Sequence, residues 1–113
     1  MDDDRLPTHL WVMAEVRRCL AEGIPVAVSR KGERQGGGLL VKLNQLEQGV
    51  RVLTQTRDLE GRPAWMPALQ GRLVTDAEAE DYVARAVKRD PDLWVVEVED
   101  RQGRNPFPGK VLA

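Results

Sequence analysis

The sequence predicts an α+β domain, and three observations carry that prediction. Two stretches, 8–23 and 75–90, place apolar residues at helical spacing, while the segments between and after them alternate as strands do. Short connections favour antiparallel neighbours, and a helix before the last strand lets that strand lie parallel to one of them. The expected order is α-β-β-β-β-α-β, a mixed, mostly antiparallel sheet of four or five strands with two helices packed on one face. At 113 residues the chain reads as a single globular domain over 1–113, with 1–7 a flexible amino terminus and 103–113 a proline-containing tail.

"THLWVMAEVRRCLAEG", residues 8–23, is the first helix. Val12, Val16, Cys19 and Leu20 form its apolar stripe, Thr8 is placed to cap its start, and Gly23 with Pro25 ends it. A strand from Ile24 to Ser29 follows. "RKGERQGGG" then reads as a mobile hairpin loop, and "GLLVKLN" resumes extended structure through Asn44. "VRVLTQTR", 50–57, turns at "DLEGR" into a short strand around Ala64 to Ala68. Pro63 and Pro67 assign that strand to a sheet edge, because proline donates no ladder hydrogen bond.

"TDAEAEDYVARAVKRD", 75–90, is the second helix. Thr75 and Glu78 have capping-box spacing, and Ala79, Tyr82, Val83, Ala86 and Val87 share one face. Acids at its start and Lys88 and Arg89 at its end match the helix dipole, and Pro91 stops it. "LWVVEVE", 93–99, is the last strand. Alternation puts Trp94, Val96 and Val98 on one face, expected to pack beside Val83, Ala86 and Val87. It puts Leu93, Val95, Glu97 and Glu99 on the other, a mixed face suited to a contact surface.

Composition bounds the function. Hydrophobic residues make up 42%, charged residues 31%, and the net charge is −1, which offers no global attraction to nucleic acid or an anionic membrane. The charge is uneven: residues 5–57 carry nine Lys/Arg against four Asp/Glu, and residues 58–113 carry eight against eleven. Cys19 is the only cysteine, so no intrachain disulfide forms. With an acidic start and no long apolar run, the chain is expected to be cytoplasmic, with no membrane partner.

Candidate sites are few. Asp90, Asp92, Glu97, Glu99 and Asp100 crowd the last strand, yet an extended chain places Asp92 and Glu97 roughly 16 Å apart, too far to share one ion. Glu97 and Glu99 are the only metal candidates among them, and pairing with Lys42, Arg51 or Arg57 across the sheet is the plainer expectation. Asp90 and Asp92 are suited to turning and capping the backbone around Pro91. In the loop, Gly36, Gly37 and Gly38 with Arg30, Lys31 and Arg34 could meet a phosphate. However, Gly38 and Leu39 stand where a phosphate loop needs Lys and Ser/Thr, and a strand follows instead of a helix. Cys19 lies on an apolar stripe, Ser29 has no nucleophile elbow, and His9 precedes a helix, so no catalytic set and no cofactor are expected.

The stretches "LWVMAEVRRCLAEGIPV", "VLTQTRDLEGRPAWM" and "DYVARAVKRDPDLWVVEVED", with Tyr82, Arg85 and the run Arg89 to Val95 as the most specific part, resemble the small alphaproteobacterial proteins called domain of unknown function 1491. The resemblance runs from about Leu10 to Arg101 and implies a stand-alone bacterial cytoplasmic protein, with no activity, substrate or cofactor attached. The element order also resembles restriction-endonuclease-like nucleases. Those require an acid on the second strand and an acid-x-Lys pair on the third; here "GLLVKLN" has no acid and Thr54-x-Thr56 fills the other position. The leading expectation is a non-catalytic protein-interaction module that binds an unknown protein partner or itself. Weak nucleic-acid binding by an inactive nuclease relative is the alternative, and an enzyme whose acids converge from separate elements is the third.

Overall fold

Residues 39–43 and 93–96 are apolar at almost every position, and these two runs form the centre of the sheet. The structure is a computed structural model that describes residues 6–112. In chain order its elements are α1 (Thr8–Ala21), β1 (Val26–Arg30), β2 (Leu39–Asn44), β3 (Val50–Arg57), β4 (Pro63–Pro67), α2 (Asp76–Arg89), β5 (Trp94–Glu99) and β6 (Lys110–Val111). Class and order are those expected, with one strand more: the tail contributes β6. The six strands lie in the order β1-β5-β2-β3-β4-β6. β2 and β5 run parallel, in register from Leu39↔Trp94 to Asn44↔Glu99. β4 and β6 are also parallel, and the other three pairings are antiparallel.

The helices lie on opposite faces, not on one. α1 sets Val12, Val16 and Cys19 against Leu39, Val41, Leu43, Trp94, Val96 and Val98. α2 sets Ala79, Tyr82, Val83, Ala86 and Val87 against Leu40, Val50, Val52, Leu93 and Val95. Trp94, Val96 and Val98 therefore meet α1, and the face once expected to be a contact surface lies largely beneath α2. The physical reason is in the two central strands. Each is apolar on both faces, and one layer of helices would leave half of that surface in water. β2 is buried from Leu39 through Leu43 without a break.

β1 and β2 are not a hairpin, because β5 lies between them. The loop 31–38 must therefore cross the start of β5, and it is fastened there. Glu33 N–H donates to the Asp92 carbonyl at 2.9 Å, Trp94 N–H to the Gly38 carbonyl at 2.9 Å, and the Trp94 indole to the Glu33 carbonyl at 2.8 Å. Gly32 and Gly37 both press on the Asp92 carbonyl, and a Cβ at either position would collide with it. These glycines are required by the crossing. The loop is not a mobile hairpin tip.

The helix ends follow local chemistry. α2 has the full capping box, with Thr75 accepting from Glu78 N–H and Glu78 reaching back to the Thr75 amide. α1 is capped differently. Pro7 is its N-cap, while Thr8, inside the first turn, donates its hydroxyl to the Gly37 carbonyl at 2.9 Å. The tail is part of the core. Phe107 is buried, edge-on to Trp11 with ring centres 6.1 Å apart and tilted to Trp65 at 6.2 Å. Trp65 donates to the Pro108 carbonyl at 2.9 Å, and Arg18 to the Pro106 carbonyl at 2.5 Å. No helix among the described residues is long and apolar enough to cross a membrane.

Truncating either large core aromatic should cost roughly 3–5 kcal/mol, because the cavity is only partly filled by relaxation. Urea titration of Trp94→Ala and Phe107→Ala is expected to show both losses. An unchanged midpoint for Phe107→Ala would mean that the tail is not integral to the fold.

Candidate functional site

The sequence candidates in the loop make contacts within the chain. Arg30 donates from Nη1 to the carbonyls of Pro91 and Leu93, at 2.9 and 2.7 Å. Arg34 donates from Nη2 to His9 Nε2 at 3.0 Å, and its carbonyl accepts from the His9 amide at 2.9 Å. The amides of Gln35 and Gly36 bond one Glu33 carboxylate oxygen at 3.0 and 2.8 Å, and the Gly37 amide turns to the Glu33 carbonyl. A carboxylate of the same loop thus occupies the position an anion would take. Gly38 gives its carbonyl to Trp94, and Lys31 and Arg34 are exposed while Arg30 is half-buried.

The acids of 90–100 separate into different tasks. Asp90 accepts the Asp92 amide at 3.1 Å and turns the chain after α2. Asp100 accepts the Arg104 amide at 2.6 Å and its guanidinium at 3.0 Å, and the arginine holds this carboxyl below the ordinary aspartate range. Glu99 is exposed at the end of β5 and lines an open groove with Arg18, Glu22, Asp100 and Arg104. Glu97, on the same face of the strand, accepts from Asn44 Nδ2 at 3.0 Å and pairs with Lys42, contacts that Glu99 does not share. The two glutamates do not converge.

The convergence lies one strand over, at Lys42. The parallel register sets Lys42 of β2 beside Glu97 of β5, on the face that α2 covers. Asp76 and Glu80, one turn apart at the start of α2, close over the same point. Lys42 Nζ lies 2.7 Å from Asp76 Oδ1 and 3.5 Å from Glu97 Oε1, and it also pairs with Glu80 Oε2. Its side chain is 4% exposed, whereas those of Asp76 and Glu80 are 66% and 57% exposed. Burial alone would lower the lysine pKa. Hydrogen bonds to Asp76 and Glu80, with the charge of Glu97, outweigh it and hold the ammonium well above the ordinary lysine value.

Sequence reasoning named Lys42, with Arg51 and Arg57, among the cross-sheet partners of the last strand's carboxylates, and it missed Asp76 and Glu80. The available signal was their spacing of four on the flank of α2 next to its apolar stripe; the missing information was which strand that flank overlies. Chemically, the cluster cannot supply a basic amine, because a protonated lysine has no lone pair. It is a tether between α2 and the sheet. Nearby, an open groove of ≈ 650 Å³ is lined by Leu46, Glu47, Leu73, Asp76 and Glu78. Its acids are engaged as well: Glu47 with Arg101 at 2.9 Å, Glu78 in the helix cap and Asp76 with Lys42.

Removing the lysine leaves three carboxylates facing one another. Two of them can turn into water, so Lys42→Met should cost about 1–3 kcal/mol, below the value for a fully buried pair. Because the folded-state pKa is raised, the stabilisation is complete below the unfolded lysine value near ~10.4 and is lost as pH rises toward the folded value. The stability gap between wild type and Lys42→Met, measured by urea titration, should therefore narrow above about pH 10.4. A gap that widens there would contradict the assigned contacts.

Comparison with known proteins bears on the whole chain. No curated protein matches it. The structure resembles a crystal structure of a DUF1491 family protein from Caulobacter crescentus CB15, with 35% identity, a TM-score of 0.83, and coverage of 96% of this chain and 100% of that one. An NMR structure of a DUF1491 family protein from the same organism gives 35% identity and a TM-score of 0.79, covering 96% and 97%. The solution structure of protein Atu0922 from A. tumefaciens gives 26% identity and a TM-score of 0.69, covering 85% and 86%. The family model described as "Protein of unknown function (DUF1491)" matches residues 6–108, and with that span covered the chain belongs to the DUF1491 family.

Proposed function

We propose that this chain is a bacterial cytoplasmic protein that acts without catalysis, by docking onto protein. The observation that carries this reading is the outer side of α1. Leu10, Met13 and Leu20 are each between 37% and 56% exposed. With Arg17 they recur at intervals of three, four and three residues, which is the spacing of a helix-packing seam. An amphipathic helix normally buries one stripe; α1 buries Val12, Val16 and Cys19 and presents a second stripe to solvent.

The alternatives have less behind them. Binding of nucleic acid needs an excess of cations to neutralise phosphates; the net charge is −1, and Arg30 is held by two backbone carbonyls and Arg34 by His9. An enzyme needs a poised acid or base, and the one convergent cluster is a saturated ion network around a protonated lysine.

Fluorescence anisotropy with labelled DNA and RNA tests the choice of partner class. Flat traces at physiological salt are expected. Tight binding that disappears in an Arg30→Ala/Lys31→Ala/Arg34→Ala protein would replace the docking reading with nucleic-acid recognition.

A further inference from the structure

Two features left over by the fold lie side by side. The first is the β1 edge of the sheet, beyond which no strand lies among the described residues. The Pro25 carbonyl accepts the Glu99 amide, so alternation turns Ala27 toward β5 as well and points the amides and carbonyls of Val26 and Val28 outward. Both valines are only half-buried, on the α1 side of the sheet. The second feature is the apolar stripe of α1. Trp11 and Arg18 reach toward Phe107 and Pro106, over the β4 end of the sheet. The opposite flank of the helix, with Met13 and Leu20, therefore overhangs β1. Leu20 shares a groove with Pro25, Val26 and Ala27.

Charge along this edge is uneven. Where β1 begins, Glu22, Glu99 and Asp100 outnumber Arg18 and Arg104, with Glu22 already paired to Arg18; where the strand finishes, exposed Lys31 lies with Arg30 and Arg34 against Glu33. Such an edge is complementary to itself under a two-fold axis. Turned end for end, the acidic end of one copy meets the basic end of the other, whereas a parallel arrangement would set like charge on like.

We infer that the occupant of this surface is a second copy of this chain, with β1 pairing antiparallel to β1 about an axis through Ala27. This rests on the docking reading above and names its partner. Val26 of each copy exchanges backbone hydrogen bonds with Val28 of the other. Ala27 is small enough to let the strands close, and Leu20 and Met13 of both copies cover the joined valines. The register shift between Val28 and Arg30 ends the regular edge at Ser29, so strand pairing is confined to Val26–Val28 and side chains make the remaining contact. Lys31 of one copy falls beside Glu22 of the other. The two sheets become one, which is an isologous contact that closes on itself.

Sedimentation of the full chain from low micromolar to near-millimolar concentration is the test. A concentration-dependent rise to twice the monomer mass is expected. Val28→Pro removes an outward donor without touching the β5 ladder, and Leu20→Asp alters an exposed side chain; both should remain monomeric, Leu20→Asp with unchanged melting. Lys31→Glu should weaken the dimer by roughly fivefold, and Glu22→Lys in the same chain should restore it. If Val28→Pro fails to fold, Leu20→Asp carries the test. A monomer at every concentration, or a dimer indifferent to Leu20→Asp and to the charge exchange, overturns the self-pairing. Neither result touches the anisotropy outcome by which the docking reading itself is judged.

Discussion

The parallel pairing of β2 with β5 is the constraint on which the rest of the molecule depends. It places two strands that are apolar on both sides at the centre of the sheet, and each face then needs its own cover. α1 covers one and α2 the other. The same pairing forces β5 between β1 and β2, although β1 and β2 are neighbours in sequence. The loop 31–38 is the consequence: it must pass over the start of β5 against the Asp92 carbonyl, and only glycine fits at positions 32 and 37. What looks in the sequence like a phosphate cradle is the clearance a crossing chain requires.

Lys42 follows from the same constraint. It is the one charged residue within β2, with hydrophobic neighbours on both sides and a helix above it. A buried ammonium without partners would be too costly to tolerate, so Glu97 in register and Asp76 and Glu80 from α2 surround it. Networks of this kind add little net stability over a well-packed apolar alternative, since desolvation offsets much of the attraction. Their effect is directional. The most buried residues of α2 are small, Ala79 and Ala86, with Tyr82, Val83 and Val87 packed partly beside them. A lysine that must meet residues 76 and 80 together allows one placement of the helix.

The parts of this arrangement that are local were legible in the sequence. The Thr75–Glu78 capping box, the stripe of α2, the alternation of β5 and the Asp90 turn all depend on residues within a few positions of one another. That the carboxylates of β5 meet a cation across the sheet was also readable, but choosing Lys42 over Arg51 and Arg57 for Glu97 needed the parallel register. Strand order was not readable, since nothing near residues 30–39 signals that residues 94–99 will be inserted beside them. The unbroken apolar run of 39–41 did hint at a doubly covered strand, and a layout with both helices on one face ignores that hint. The tail was hidden for a different reason. A segment with prolines at 106 and 108 reads as irregular, and so it is, but Phe107 between them fills the space beneath Trp11 and Trp65.

Covering both faces of a sheet also decides where such a protein can meet anything else, because only edges and outer helix surfaces remain. The two edges are unlike. At one end β6 is two residues long, lies against a strand that begins and ends with proline, and is held by Trp65 and Phe107. That edge offers almost no continuous backbone to a further strand. At the other end β1 carries no proline within its span and no charged residue before Arg30, and its guard is a single register shift at Ser29. Natural sheets usually protect an exposed edge more thoroughly than this. The unprotected valines lie directly under the exposed stripe of α1. Helix and edge therefore form one surface, and the two ends of the sheet differ in how much strand backbone they leave open on that side of the molecule.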